Sequence, residues 1–68
     1  MPTFLIRGRQ ADYYEVLHRV QTLGRDDHTG APTFTRDDVR DLIDTAEIPT
    51  GDQARATLAS FDITVHPR

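Results

Sequence analysis

From Tyr13 through Val16, Leu17 and Val20 to Leu23, apolar residues recur at three- and four-residue steps, a spacing that gathers them on one stripe of a helix over residues 12–23. Asp12 precedes that stripe with Glu15 three positions on, the arrangement of a capping box, and Gly24 stands where the helix would stop. Glu15 and Arg19 are spaced for an i,i+4 ion pair. A second stripe, Val39, Leu42, Ile43 and Ala46, follows Thr35 as a cap, Asp38 at the third helical position and Phe34 as a hydrophobic staple onto Val39. Glu47-Ile48-Pro49 ends this helix. Thr50 and Gln53 form another box-like pair, and Ala54, Leu58 and Phe61 mark the inner side of a third helix over residues 50–60. At the two ends the period changes. Thr3-Phe4-Leu5-Ile6-Arg7 is a short β-prone run stopped by Gly8, and Phe61 to His66 alternates apolar and polar residues as a half-buried strand does. Two short strands gain little alone, so they are expected to pair with each other or with a second chain. Residues 24–34, rich in Gly, Pro and ionisable groups, read as an exposed loop.

These elements predict one domain over residues 1–68, of α+β class and mainly helical: a three-helix core with two short terminal β-strands. Composition narrows its means of stability. Sixteen of the 68 residues are Leu, Ile, Val or Phe and none is Cys, so one small core must hold the fold without disulfides or thiolate metal sites, and oligomerisation stays open as a further source of stability. No apolar run approaches the roughly 18 residues of a membrane span, and the first residues lack the pattern of a signal peptide, so a cytoplasmic protein without a membrane partner is expected.

The net charge of −3 is unevenly placed. Residues 1–30 hold four Arg against four acids, and residues 31–60 hold three Arg (36, 40, 55) against six acids (37, 38, 41, 44, 47, 52), so the second stretch alone sums to −3. A broad basic footprint, the usual mark of a nucleic-acid binder, is missing.

The succession of strand, helix, loop, helix, tight break, helix and strand resembles the winged helix-turn-helix superfamily, a resemblance that spans roughly residues 13–65. That resemblance implies a winged-helix-like arrangement and a DNA-associated regulatory role, with the third helix in the major groove. On this mapping Thr50, Gln53, Arg55 and Thr57 face outward, and Arg55 reaches a guanine edge or a phosphate. The chain departs from the pattern at Glu47, where a glycine is common before the turn, and at Gln53, where an apolar residue is common after it. The preceding helix is also acidic, and phosphate is repelled by such a face. A second function class therefore stands beside the first: a non-enzymatic protein-interaction adaptor that uses Asp37, Asp41 and Asp44 on the second helix, an apolar rim or an edge strand.

Other chemistry finds little support. Asp26-Asp27-His28-Thr29-Gly30 followed by Phe34 and Asp38-Val39 is similar to a calcium loop between two helices, and the spacing of Phe34, Asp38 and Leu42-Ile43 suits its second half. The first half fails, since Thr29, Ala31 and Pro32 fall where an acidic ligand, another oxygen ligand and the turn glycine should sit. The separations of His18, His28 and His66 match no common zinc spacing. Ser60 is the only serine, and neither a phosphate-binding glycine loop nor a metalloprotease motif is present. No cofactor and no enzymatic activity are expected. Arg7 and Arg9 beside Gly8 read either as a basic arm against phosphate or as solvated ends protecting an edge strand. Tyr13 and Tyr14 lie about 100° apart around a helix, so one of them belongs at a rim.

Overall fold

The computed structural model describes residues 3–66. It contains β1 (Thr3–Ile6), β2 (Arg9–Ala11), α1 (Tyr13–Leu23), α2 (Arg36–Ala46), α3 (Asp52–Ala59) and β3 (Ile63–His66). The α+β class, the three helices and the pairing of the terminal strands are as the sequence indicates. The count of two strands is corrected to three.

The sheet is antiparallel with order β2-β1-β3. Phe4 lies opposite both Ala11 and Val65, and Ile6 opposite both Arg9 and Ile63. Arg7 and Gly8 form a two-residue hairpin turn with φ of 52° and 81°, the left-handed pair that matches the twist of a tight hairpin. β2 eluded the sequence reading because Arg-Gln-Ala is short and polar; its pairing is imposed by the turn, and only Ala11 is buried.

The helices begin largely as their caps dictate. The Asp12 side chain accepts from the Glu15 amide at 2.9 Å, so this end is capped, but the expected return bond from the Asp12 amide to the Glu15 side chain does not form and the box is half made. Thr35 and Asp38 form a complete reciprocal box, with the Asp38 amide donating to Thr35 Oγ1 at 3.1 Å and the Thr35 amide donating to Asp38 Oδ2 at 2.9 Å. The third expected box does not form. Gly51 is the N-cap of α3, no side chain caps it, and Thr50 lies in the preceding turn. The reason is steric: a Cβ at residue 51 would lie 2.0 Å from the Thr45 carbonyl oxygen, so the turn closes tightly on the one residue without a side chain, and helix initiation moves there.

Val16 and Val20 from α1, Val39, Ile43 and Ala46 from α2, Ala54 and Leu58 from α3, and Phe4, Ala11, Ile63 and Val65 from the sheet make one core. Leu42 and Phe61, expected inside, are half-buried, and Leu23 is 52% exposed. The Phe34 ring packs at the end of α1 against Gly24, and Leu23 lies outside that contact. The loop after α1 is organised by its own hydrogen bonds: Asp26 Oδ1 accepts from the His28 amide at 2.7 Å and the Thr29 amide at 3.2 Å, and an isolated bridge joins Arg25 to Pro32. Phe34 then meets Phe61 edge-on, ring centroids 6.0 Å apart, tying the loop to the α3–β3 turn.

Candidate interaction surfaces

The four residues assigned to a DNA-reading α3 do not share one outward face. Thr50 and Gln53 are exposed, whereas Arg55 and Thr57 are half-buried. Arg55 folds back over the turn between α2 and α3: its guanidinium donates to the Ile48 carbonyl at 3.2 Å and pairs with Asp52 at 3.6 Å, leaving 29% of the side chain exposed. The Thr57 hydroxyl donates to the Gln53 carbonyl at 2.9 Å, one turn back in its own helix. The most exposed ionisable group near the start of α3 is Asp52, whose side chain is 93% accessible. The winged-helix mapping places Arg55 outward; the neighbouring turn brings the Ile48 carbonyl, which also accepts from the Gly51 amide at 2.9 Å, within reach of a long side chain, and the guanidinium shares it.

On α2 all three expected acids, Asp37, Asp41 and Asp44, are exposed. Two grooves run along opposite flanks of this helix. The first, about 360 Å³, lies between α2, β1 and the start of α1, and is lined by Phe4, Tyr13, Arg36, Asp37, Arg40, Ile43, Asp44 and Glu47. The second lies between α2 and α3 and includes Phe34, Asp41, Leu42 and Gln53. Asp37 and Asp44 therefore border one groove and Asp41 the other. Among the described residues, no ion pair engages any of the three.

Tyr13 borders the first groove, and Tyr14 packs beside it. The Tyr13 hydroxyl donates to the Arg36 carbonyl at 3.4 Å, fixing α1 against the start of α2. Tyr14, 65% exposed, stacks edge-on with Tyr13 and lies under the Arg36 guanidinium, 5.7 Å from the ring centroid. Tyr14 is thus the rim member of the adjacent tyrosine pair. At the same end, Asp38 is held below its ordinary carboxyl range, first by the Thr35 amide and then by the Thr35 hydroxyl, so its charge is committed to the cap.

A third surface is the hairpin tip. Arg9 is exposed; the Arg7 amide donates to the Asp62 carbonyl at 3.1 Å, while its side chain, 73% accessible, makes a 3.5 Å contact to the Asp62 carboxylate. Arg19 does not use Glu15; its guanidinium donates to Asp62 Oδ2 at 2.9 Å and to the Phe61 carbonyl, tying α1 to the α3–β3 turn. Long-range acceptors on Phe61 and Asp62 outcompete the local partner, a contact that helical spacing alone does not reveal. Phe4, Tyr13 and Ile43 as a groove floor were likewise hidden, since each reads as core until the elements are placed side by side. Among the described residues no three His, Asp or Glu side chains converge as metal ligands, and no helix is long and apolar enough to cross a membrane.

No family model, curated protein or solved structure matches the chain.

Proposed function

We propose that the protein is a non-enzymatic interaction module that engages a protein partner through α2. The observation carrying this reading is the exposure of Asp37, Asp41 and Asp44, without an internal counter-charge among the described residues, on a helix that also borders two partly apolar grooves. Carboxylates left unpaired at a groove edge favour a basic surface and disfavour phosphate. The state of α3 supports the same choice, because Arg55 is engaged by Ile48 and Asp52 and the surface beside it bears Asp52.

A winged-helix-like DNA-associated regulator is the second reading. It is favoured by one observation, the exposed Arg7 and Arg9 on a tight hairpin, with Arg7 held at a positive φ that an arginine adopts only at some cost. One pair of measurements separates the two. Affinity capture compares wild type with the triple variant Asp37→Asn, Asp41→Asn, Asp44→Asn, and a titration against mixed-sequence duplex DNA is run from low to physiological salt. The interaction module retains partners in wild type, loses them in the triple variant and shows no salt-sensitive DNA binding. Tight DNA binding that weakens with salt and with Arg9→Ala would replace this reading by the second.

A further inference from the structure

The first groove is polarised along its length. Arg36 and Arg40 outnumber Asp37 toward the start of α2, Asp44 and Glu47 stand toward its end, and Phe4, Tyr13 and Ile43 supply the apolar surface. From Arg36 to Glu47 the helix rises about 16 Å, the reach of roughly five extended residues. The backbone adds to the same polarity, since the helix dipole is positive at its start and negative at its end. No basic residue lies in the last turn of α2 to offset the negative end, and among the described residues neither Arg40 nor Glu47 is engaged in an ion pair.

We infer that this groove receives an extended segment of a protein partner that carries a basic residue, an apolar residue and an acidic residue in alternate positions. The basic group sits at Asp44 and Glu47, the apolar side chain sits over Phe4 and Ile43, and the acidic group meets Arg36 and Arg40. The inference rests on the interaction-module reading and specifies its partner. Charge complementarity selects the occupant: a uniformly basic segment satisfies one end and meets like charge at the other, and a uniformly acidic one does the reverse. The apolar floor adds a requirement that a free ion or an amino acid without a central apolar group does not meet.

The probes are three capped peptides, Asp-Ala-Leu-Ala-Arg, Arg-Ala-Leu-Ala-Arg and Asp-Ala-Leu-Ala-Asp, titrated into the full chain and followed by backbone amide shifts. The mixed peptide is expected to bind about fivefold more tightly than either uniform one, the ratio given by roughly 1 kcal/mol for one matched against one mismatched exposed pair. Shifts should concentrate at Phe4, Ile43, Asp44 and Glu47. Glu47→Gln should move the preference toward the doubly acidic peptide, and Arg40→Gln toward the doubly basic one; both residues are exposed, so spectra of the free variants should stay folded.

Strongest binding by the doubly basic peptide, with shifts spread over Asp41 and Asp52, would overturn the polarised groove while leaving the acidic α2 reading intact. Absence of shifts with any peptide would overturn the groove as well, and the capture experiment would still decide the fate of α2. Concentration-dependent broadening at Phe4 and Ile43 without peptide would assign the groove to a second copy of the chain and overturn the inference.

Discussion

Thr35 and Asp38 show how much one local pair decides. Each side chain accepts from the other's backbone amide, so two donors at the start of α2 that its own ladder leaves free are satisfied. Thr35→Ala is expected to cost about 1 kcal/mol, a fall of roughly 4–8 °C in the melting temperature of a domain this size; thermal denaturation measures it. The same pair links stability to pH. Because the Thr35 cap holds the Asp38 carboxyl below the ordinary carboxylate range, the folded state binds its proton less readily than the unfolded chain does. Its contribution is therefore complete above the unfolded pKa and is lost as pH falls through the folded one. Asp38→Asn should reduce this acid-dependent loss, visible as a shallower stability profile below about pH 4. This cap was legible because all its atoms lie within four consecutive residues. Arg19 and Arg55 were not, because their acceptors at Phe61, Asp62 and Ile48 become neighbours through the turns. A residue's local partners can be read from spacing, but a long cationic side chain surveys every carbonyl within its reach.

Two glycines set how the elements meet. In the β1–β2 hairpin both turn residues have positive φ, which Gly8 adopts freely and Arg7 does not. Gly8→Ala should destabilise by about 1–2 kcal/mol although the site is sterically open, whereas Arg7→Asn should stabilise by about 0.5–1 kcal/mol, Asn being the better left-handed residue. Chemical denaturation of the two variants checks this, and equal effects of the same sign would show that the turn is not under this constraint. Between α2 and α3 the requirement is steric. A Cβ on Gly51 would meet the Thr45 carbonyl, so Gly51→Ala should force the helices apart and cost about 1–3 kcal/mol, with amide exchange rising around residues 45–52. The helices were legible in the sequence because each repeats its apolar residues at helical steps, and the terminal strands because β-prone residues mark them. β2 has neither property. It exists because Ile6 and Arg9 face each other across Arg7 and Gly8, and that two-residue closure places Gln10 opposite Leu5 and Ala11 opposite Phe4.

Across the whole molecule a core centred on fully buried Val16, Val20, Val39, Leu58 and Ile63 supports a surface whose charge is concentrated on one helix. The fold class was accessible from the sequence because burial needs only periodicity. The grooves were not, because their walls come from elements distant in the chain, with Phe4 and Ile43 brought together only when β1 and α2 pack on the same core. Alpha-helix α2 has five acids at positions 37, 38, 41, 44 and 47, counting its C-cap, against Arg36 and Arg40, with no base in its last turn. Asp38 is compensated by the cap, but Asp44 and Glu47 stand at the negative end of the helix dipole, where a carboxylate is unfavourable. In an isolated protein this arrangement lowers stability; against a basic partner it is favourable. Asp44→Lys should therefore raise stability by about 0.3–1 kcal/mol, because it removes a repelled charge and places a cation at the helix end. The gain should shrink between about 10 mM and 500 mM salt, as the Debye length contracts from roughly 30 Å toward a few ångströms. The same substitution should reduce capture of a partner bound through α2. A variant that is both more stable and poorer at binding would show that the acidic helix is retained for recognition at the expense of the fold. If Asp44→Lys instead destabilises the protein while leaving capture unchanged, Asp44 supports the native helix and the contact surface lies elsewhere.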